Sequence, residues 1–132
     1  MFRLIKPFLV LGAVLAVVAI GDVRADAPLN PDSVKLPGMT PALNLGKMTY
    51  DALCSSCHGK NTAGTDKGPT FLHKFYHPGH HGDAAFYAAP MKGVKAHHWP
   101  FGDMPPVEGI KEAQIEKIIV YVRAIQKANG LF

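Results

Sequence analysis

The sequence has few cysteines, few charged residues and few long apolar stretches. Two cysteines among 132 residues are too few for the disulfide framework of a small secreted scaffold. Charged residues make up 18% of the chain and form no long run of one sign, which argues against a disordered chain or a nucleic-acid-binding tail. The sequence also has no phosphate-binding glycine loop and no nucleophile with a paired base. A chain of this length is expected to form one core.

The first 25 residues have the pattern of a signal peptide. Arg3 and Lys6 give a positively charged start, a 15-residue apolar run covers residues 7–21, and residues 23–25 offer a cleavage site. An uncleaved membrane anchor is the alternative, but a bilayer span needs about 20 apolar residues. We therefore expect cleavage after Ala25, export to the periplasm and no stable membrane insertion. Cleavage would lower the formal net charge from +4 to +2, since the segment holds three basic residues and one acidic residue.

Both cysteines belong to one motif, Cys54-Ser55-Ser56-Cys57-His58. This Cys-x-x-Cys-His pattern is the attachment signature of a c-type haem. Two thiols three positions apart can add to the two vinyl groups at one edge of the porphyrin, and His58 then becomes the proximal iron ligand. A thioredoxin-like dithiol would need a strand before the motif, where the sequence instead has a helical pattern. A structural zinc site would need a second pair of ligands, and the chain has no further cysteine.

A methionine is expected as the second axial ligand. Met104 lies among glycine and proline residues at 102–106, a stretch of turn-forming residues that places a thioether on a loop before a long amphipathic helix. Met91, next to Pro90, is the second choice. A bis-histidine haem is a further alternative, because six of the seven histidines lie between residues 71 and 101.

These six histidines also suggest a second metal site. Imidazole suits copper, zinc or nickel, and His73 and His77 would share a face if their segment were helical. Pro78 and Gly79 interrupt such a helix, so histidines exposed in a loop or packed near the haem edge are the alternative. Trp99 follows the last pair, and we expect it to close the distal pocket or to donate its indole hydrogen to a haem propionate. The six histidines are His73, His77, His80, His81, His97 and His98.

With these motifs, the sequence resembles the class I c-type cytochromes, which are small mono-haem electron carriers. The resemblance covers most of residues 43–129. Gly46 and Tyr50 resemble the glycine and the aromatic residue that let the family's first helix cross its last helix closely. Tyr121 resembles part of the C-terminal helix signature.

The resemblance also implies a ligand set. Gly68-Pro69 is similar to the turn whose carbonyl accepts the ring proton of the proximal histidine, so Pro69 would orient His58. Met104 resembles the family's methionine ligand. The resemblance thus implies one haem c, attached covalently through Cys54 and Cys57, with His58 and Met104 on the iron. It further implies that redox proteins are the partners and that the chain is not itself an enzyme.

The predicted fold is all-α, a small cytochrome c-like domain over residues 43–132 with its helices wrapped around one haem. A proline-rich, extended leader without an element of its own is expected at residues 26–42. The first helix is predicted from about Pro41 to Ser56, with Thr40 as its cap, and the last from Glu112 to Asn129. A short helix is predicted to start at a capping Asp83 and to be ended by Pro90. Apolar residues at helical spacing predict a buried stripe on the last helix: Ile115, Ile118, Ile119, Val122 and Ile125.

The predicted ligand set favours electron transfer. Iron with both axial positions filled has no open site for oxygen or peroxide, and the absence of a second haem motif argues against a di-haem peroxidase. A soluble periplasmic electron carrier is the leading interpretation. A dedicated cytochrome subunit of a redox enzyme and a gas-binding haem sensor are the alternatives. Gas-binding cytochromes of the four-helix type carry the attachment motif near the chain end, whereas a whole helix follows it here.

Overall fold

The computed structural model describes residues 27–132, so the predicted signal peptide and its cleavage site at Ala25 lie outside the described residues. Within that range the chain forms four α-helices and two 3-10 turns, and it has no strand apart from one isolated bridge between Val94 and Met104. The predicted all-α fold is confirmed. The helices are α1 (Pro41–Leu53), α2 (Ser55–His58), α3 (Asp83–Lys92) and α4 (Glu112–Ala128), and the 3-10 turns cover Lys60–Thr62 and Lys74–Tyr76.

Helices α1 and α4 form the main helix pair, and they cross at Gly46. A Cβ atom on Gly46 would lie 2.4 Å from the carbonyl oxygen of Lys117 and 2.9 Å from the Cβ of Tyr121. Only a glycine therefore permits this approach of the two backbones. Next to the crossing, the buried rings of Tyr50 and Tyr121 lie 5.5 Å apart. The close crossing implied by the resemblance is present.

The buried face of α4 supplies much of the core. All five apolar residues of the predicted stripe are buried, and so are Tyr121 and Gln126 on the same helix. Burial of this stripe, rather than intrinsic propensity, is the main source of the helix's stability. No helix in residues 27–132 combines the length and apolar character needed to cross a membrane.

The proline-rich leader packs against the domain. Residues 27–40 form no helix or strand, but the backbone N–H of Leu29 donates to the carbonyl of Ala63 at 2.8 Å. Val34 is buried in the core. Lys35 pairs with Asn129 through two hydrogen bonds, of 3.0 and 2.9 Å, between its backbone and the asparagine side chain. The described part of the leader is thus continuous with the core.

The predicted first helix is two helices. It begins as expected, with the Thr40 hydroxyl accepting from the N–H of Leu43 at 3.2 Å. Its continuation to Ser56 was wrong, because Cys54 leaves helical geometry with φ −125° and the chain restarts as α2. The break lies at the first cysteine of the motif, so Cys57 and His58 project from a separate helical turn.

Helix α3 differs from its prediction at both ends. Gly82, not Asp83, is the N-cap residue, and the Asp83 carboxylate instead accepts from Arg123 at 2.8 Å. The helix also continues through Pro90 to Lys92 and ends at Gly93, whose φ is +76°. Pro90 lies in the last turn of α3, where its missing N–H removes one helical hydrogen bond.

Candidate functional site

An apolar cavity of about 350 Å³ lies at the motif, bordered by α2, α3 and the loop between α3 and α4. This volume is within the range of about 300–1,000 Å³ typical of ligand and cofactor sites. Five of the six residues predicted for the site line this cavity: Cys57, His58, Pro69, Trp99 and Met104.

His58 is buried and oriented by its neighbours. Its Nδ1 lies 3.0 Å from the carbonyl oxygen of Pro69, and because a carbonyl only accepts, Nδ1 carries the proton. The ring stacks on Phe71, with centroids 4.2 Å apart. Burial lowers the pKa of His58, while the Pro69 carbonyl acts in the opposite direction. The neutral imidazole therefore has Nε2 as its free lone pair, the form in which histidine binds a metal.

The two thiols lie on either side of the break between α1 and α2. Cys57 is exposed and lines the cavity, whereas Cys54 is partly buried and lies outside the cavity lining. Burial, with a smaller contribution from Cys57, raises the pKa of the Cys54 thiol to about 11. The two cysteines are not joined by a disulfide, so both thiols are available for covalent attachment of a cofactor.

Met104 is held at the cavity by its backbone. It exchanges two hydrogen bonds of 2.9 Å with Val94, which form the isolated antiparallel bridge. The loop between them is closed further by Asp103, whose carboxylate accepts from the N–H of Ala96 at 2.8 Å. The second-choice ligand, Met91, lies at the end of α3, is 46% exposed and is not part of the cavity lining.

Trp99 brings an unpaired donor to the cavity. Its indole Nε1 is buried, and although the Tyr76 hydroxyl lies near, nothing in residues 27–132 accepts its hydrogen with hydrogen-bond geometry. An unpaired buried donor costs about 1–3 kcal/mol, which an acceptor on a bound molecule would remove.

The apolar cavity, the free Nε2 of His58, the two thiols and this donor together fit a covalently bound haem.

Two polar residues of α4 that sequence reasoning missed hold the loop at residues 71–82, which borders the cavity. Arg123 donates to the carbonyls of Tyr76 and His81 at 2.8 and 2.7 Å, and its guanidinium lies 4.7 Å from the ring centroid of Phe86. Gln126 donates to the carbonyl of Phe71 at 2.8 Å. The signal for Gln126 was available, because it is a polar residue on the otherwise apolar face of α4.

Around His73 and His77 the chain forms only the 3-10 turn Lys74–Tyr76, so the face that these two residues would share in a helix does not form. The side chains of His80, His81 and His98 come together instead. Burial lowers the pKa of His98, and the neighbouring imidazoles make smaller contributions in the same direction.

Helices around an apolar cavity, with a Cys-x-x-Cys-His motif at its edge, define the class of c-type haem proteins. The family model described as Cytochrome c matches residues 43–126, more than half of the chain. The protein therefore belongs to the cytochrome c family, which implies a covalently bound haem c and a role in electron transfer. A search of curated proteins and a search of solved structures each found no significant match.

Proposed function

We propose that the protein is a periplasmic one-electron carrier in which His58 and Met104 are the two axial ligands of the iron. One observation carries this proposal: His58 and Met104 line the same apolar cavity, and hydrogen bonds hold both residues there. The His58 ring donates to the Pro69 carbonyl, and the Met104 backbone is bonded to Val94. A covalently bound haem c supplies a reversible one-electron couple at this site.

The chain's own residues set the properties of that site. The hydrogen bond from His58 Nδ1 to Pro69 fixes the tautomer and orients Nε2 toward the cavity, as second-shell carbonyls do for metal-binding histidines. The thioether of Met104 is neutral and raises the reduction potential relative to a second imidazole. With both axial positions filled, no site is open for oxygen or peroxide, which favours electron transfer over catalysis.

The remaining predicted site residues have supporting roles. Cys54 and Cys57 form the two thioether bonds to the porphyrin, and burial raises the pKa of the Cys54 thiol. Trp99 donates its indole hydrogen to a haem propionate, which gives this buried donor its partner.

Carbon monoxide binding tests the filled axial position. At neutral pH we expect the reduced wild-type protein to bind little carbon monoxide, and Met104→Ala to bind it readily because one axial position is then open. Met91→Ala is the matched control, since this exposed methionine lies outside the cavity lining, and it should behave like the wild type. Ready binding by the wild type would favour a gas sensor. Failure of Met104→Ala to bind would point to another ligand, such as histidine.

Measurements on the protein from its native host test its cellular location and whether it is free or bound to one enzyme. The intact mass should correspond to a chain that begins at Asp26 with one haem attached, and the protein should be recovered in the periplasmic fraction. Size-exclusion chromatography should place it at the size of the free domain. Persistent co-elution with one enzyme would instead identify a dedicated subunit.

A further inference from the structure

Three imidazoles at the rim of the cavity lie at the spacing of metal ligands. The ligand atoms of His80, His81 and His98 are all within 4.8 Å of one another, and Nε2 of His80 lies 3.4 Å from Nε2 of His98. Two nitrogens bound tetrahedrally at about 2.0–2.1 Å from a zinc ion are about 3.3 Å apart. One pair is therefore already at ligand spacing, and the ligand atom of the third imidazole lies within 4.8 Å of both.

The cluster is held by groups outside it. His81 Nδ1 donates to the carbonyl of Phe75 at 2.5 Å, which leaves Nε2 free for an ion. Metal-binding histidines usually make such a bond through the other ring nitrogen. Arg123 fixes the His81 backbone by donating to its carbonyl at 2.7 Å. The His98 ring stacks on Phe75, with centroids 4.2 Å apart.

The donor set selects the kind of ion. All three donors are imidazole nitrogens, and the nearby Asp83 is paired with Arg123. Magnesium and calcium prefer oxygen ligands, whereas zinc and copper bind imidazole well. Three protein ligands leave a fourth position for water.

We infer that His80, His81 and His98 bind one divalent ion of the zinc and copper class at the rim of the haem cavity. The site uses neither His58 nor Met104, so it does not depend on the proposed axial ligands. It joins the turn at residues 77–82 to the loop at residues 94–104, and the loop ends at Met104. Binding of the ion thus ties together two segments that border the cavity.

The test uses the untagged, haem-loaded protein after removal of metals with a chelator. Isothermal titration with zinc chloride or copper chloride should give one ion per chain in addition to the haem iron, and magnesium chloride should give none. His80→Ala and His98→Ala should each weaken binding at least tenfold. His77→Asn is the matched control. Its side-chain oxygen can accept the Gly79 N–H that the His77 ring accepts at 2.9 Å, so it should bind as the wild type does.

A second measurement does not depend on the variants. Zinc-edge X-ray absorption of the loaded wild-type protein should show three imidazoles with one further light atom. A metal stoichiometry of iron alone, binding that His80→Ala and His98→Ala leave intact, or a first shell of oxygen or sulfur would each overturn the proposal. Zinc in place of copper, or the reverse, as the tighter ion supports it equally and identifies the ion.

Discussion

At the scale of single residues, the site depends on a few groups whose partners lie far along the chain. The indole of Trp99 is one of them, and its Nε1 is buried without a hydrogen-bond acceptor within residues 27–132. Its ring is fixed by edge contacts to His73 and Phe75, with centroids 4.7 and 5.6 Å away. A rigid donor at the cavity wall is suited to stabilise a negative charge on the bound cofactor.

Trp99→Phe tests that role. Without the indole hydrogen, the anionic propionate loses a charge-assisted hydrogen bond of about 1.5–3 kcal/mol, which corresponds to a rise of roughly 1–2 units in its pKa. The pH range over which the reduction potential depends on pH should move upward by this amount. Voltammetry of the purified protein between pH 4 and 9 measures the change.

The control for that measurement is Phe101→Leu. Phe101 also lines the cavity, 6.4 Å from the Trp99 ring centroid, but it has no donor to lose. Phe101→Leu should keep the wild-type pH range over which the reduction potential depends on pH. An identical shift in both variants would attribute the effect to lost packing and would count against the hydrogen bond.

Residue identities were more predictable than residue partners. The motif at residues 54–58 and the turn chemistry around Met104 are local patterns, so the sequence alone indicates them. The contacts of Arg123 with Tyr76 and His81 join residues more than 40 positions apart. No local pattern encodes such contacts, so nothing in the sequence assigned Arg123 a role at the site. For the same reason the sequence could bring histidines together only by helical spacing, as for His73 and His77.

At the scale of elements, two contacts of α4 determine where the site lies. One is its crossing with α1, and the other is its attachment to the loop at residues 71–82. Periodicity predicted α4 almost to the residue, because its apolar stripe is regular. The predicted helix ends were wrong at Cys54, where the helix breaks, and at Pro90, which the helix accommodates. Both failures concern backbone geometry that composition alone does not specify.

Gly46→Ala should destabilise the helix crossing. The added Cβ would meet backbone on α4 at 2.4 Å, and overpacking of this kind costs about 1–3 kcal/mol. Gly38→Ala is the control, because nothing lies within 4 Å of a Cβ there. Guanidinium chloride unfolding of the haem-loaded variants measures both. Equal stability of the two variants would mean that the helices do not cross at Gly46.

Arg123→Met should loosen the loop at residues 71–82. It removes donors to two carbonyls and should lower the free energy of unfolding by about 2 kcal/mol or more. Asp83→Asn breaks only the ion pair, in which the Asp83 side chain is 59% exposed, and should cost less than about 1 kcal/mol. Hydrogen exchange should rise at residues 72–82 in the first variant alone. Comparable effects of both variants would show that the ion pair, rather than the carbonyl contacts, holds the loop.

At the scale of the whole molecule, a small core surrounds a large cavity. The cavity wall is mostly apolar, and a bound haem would cover it, which stabilises by about 25 cal/mol per Å² of apolar surface removed from water. The cofactor is therefore expected to be part of the core as well as the redox group.

The protein without haem should accordingly lose its fixed tertiary structure. The double variant Cys54→Ser with Cys57→Ser prevents covalent attachment and leaves the rest of the chain unchanged. Its near-ultraviolet circular dichroism should be largely lost and its urea transition broad, whereas the haem-loaded protein should unfold cooperatively. A haem-free variant with native near-ultraviolet signals and a sharp transition would show that the helices hold the cavity open on their own.

The central claim is that His58 and Met104 are the axial ligands of one haem c. Near-infrared magnetic circular dichroism of the oxidised protein distinguishes a histidine–methionine pair from two histidines by the position of the charge-transfer band. The account predicts the histidine–methionine band in the wild type. In Met104→Ala it predicts loss of that band, with a fall in the reduction potential on the order of 0.1 V or more. A bis-histidine band in the wild type, or an unchanged spectrum and potential in Met104→Ala, would contradict it.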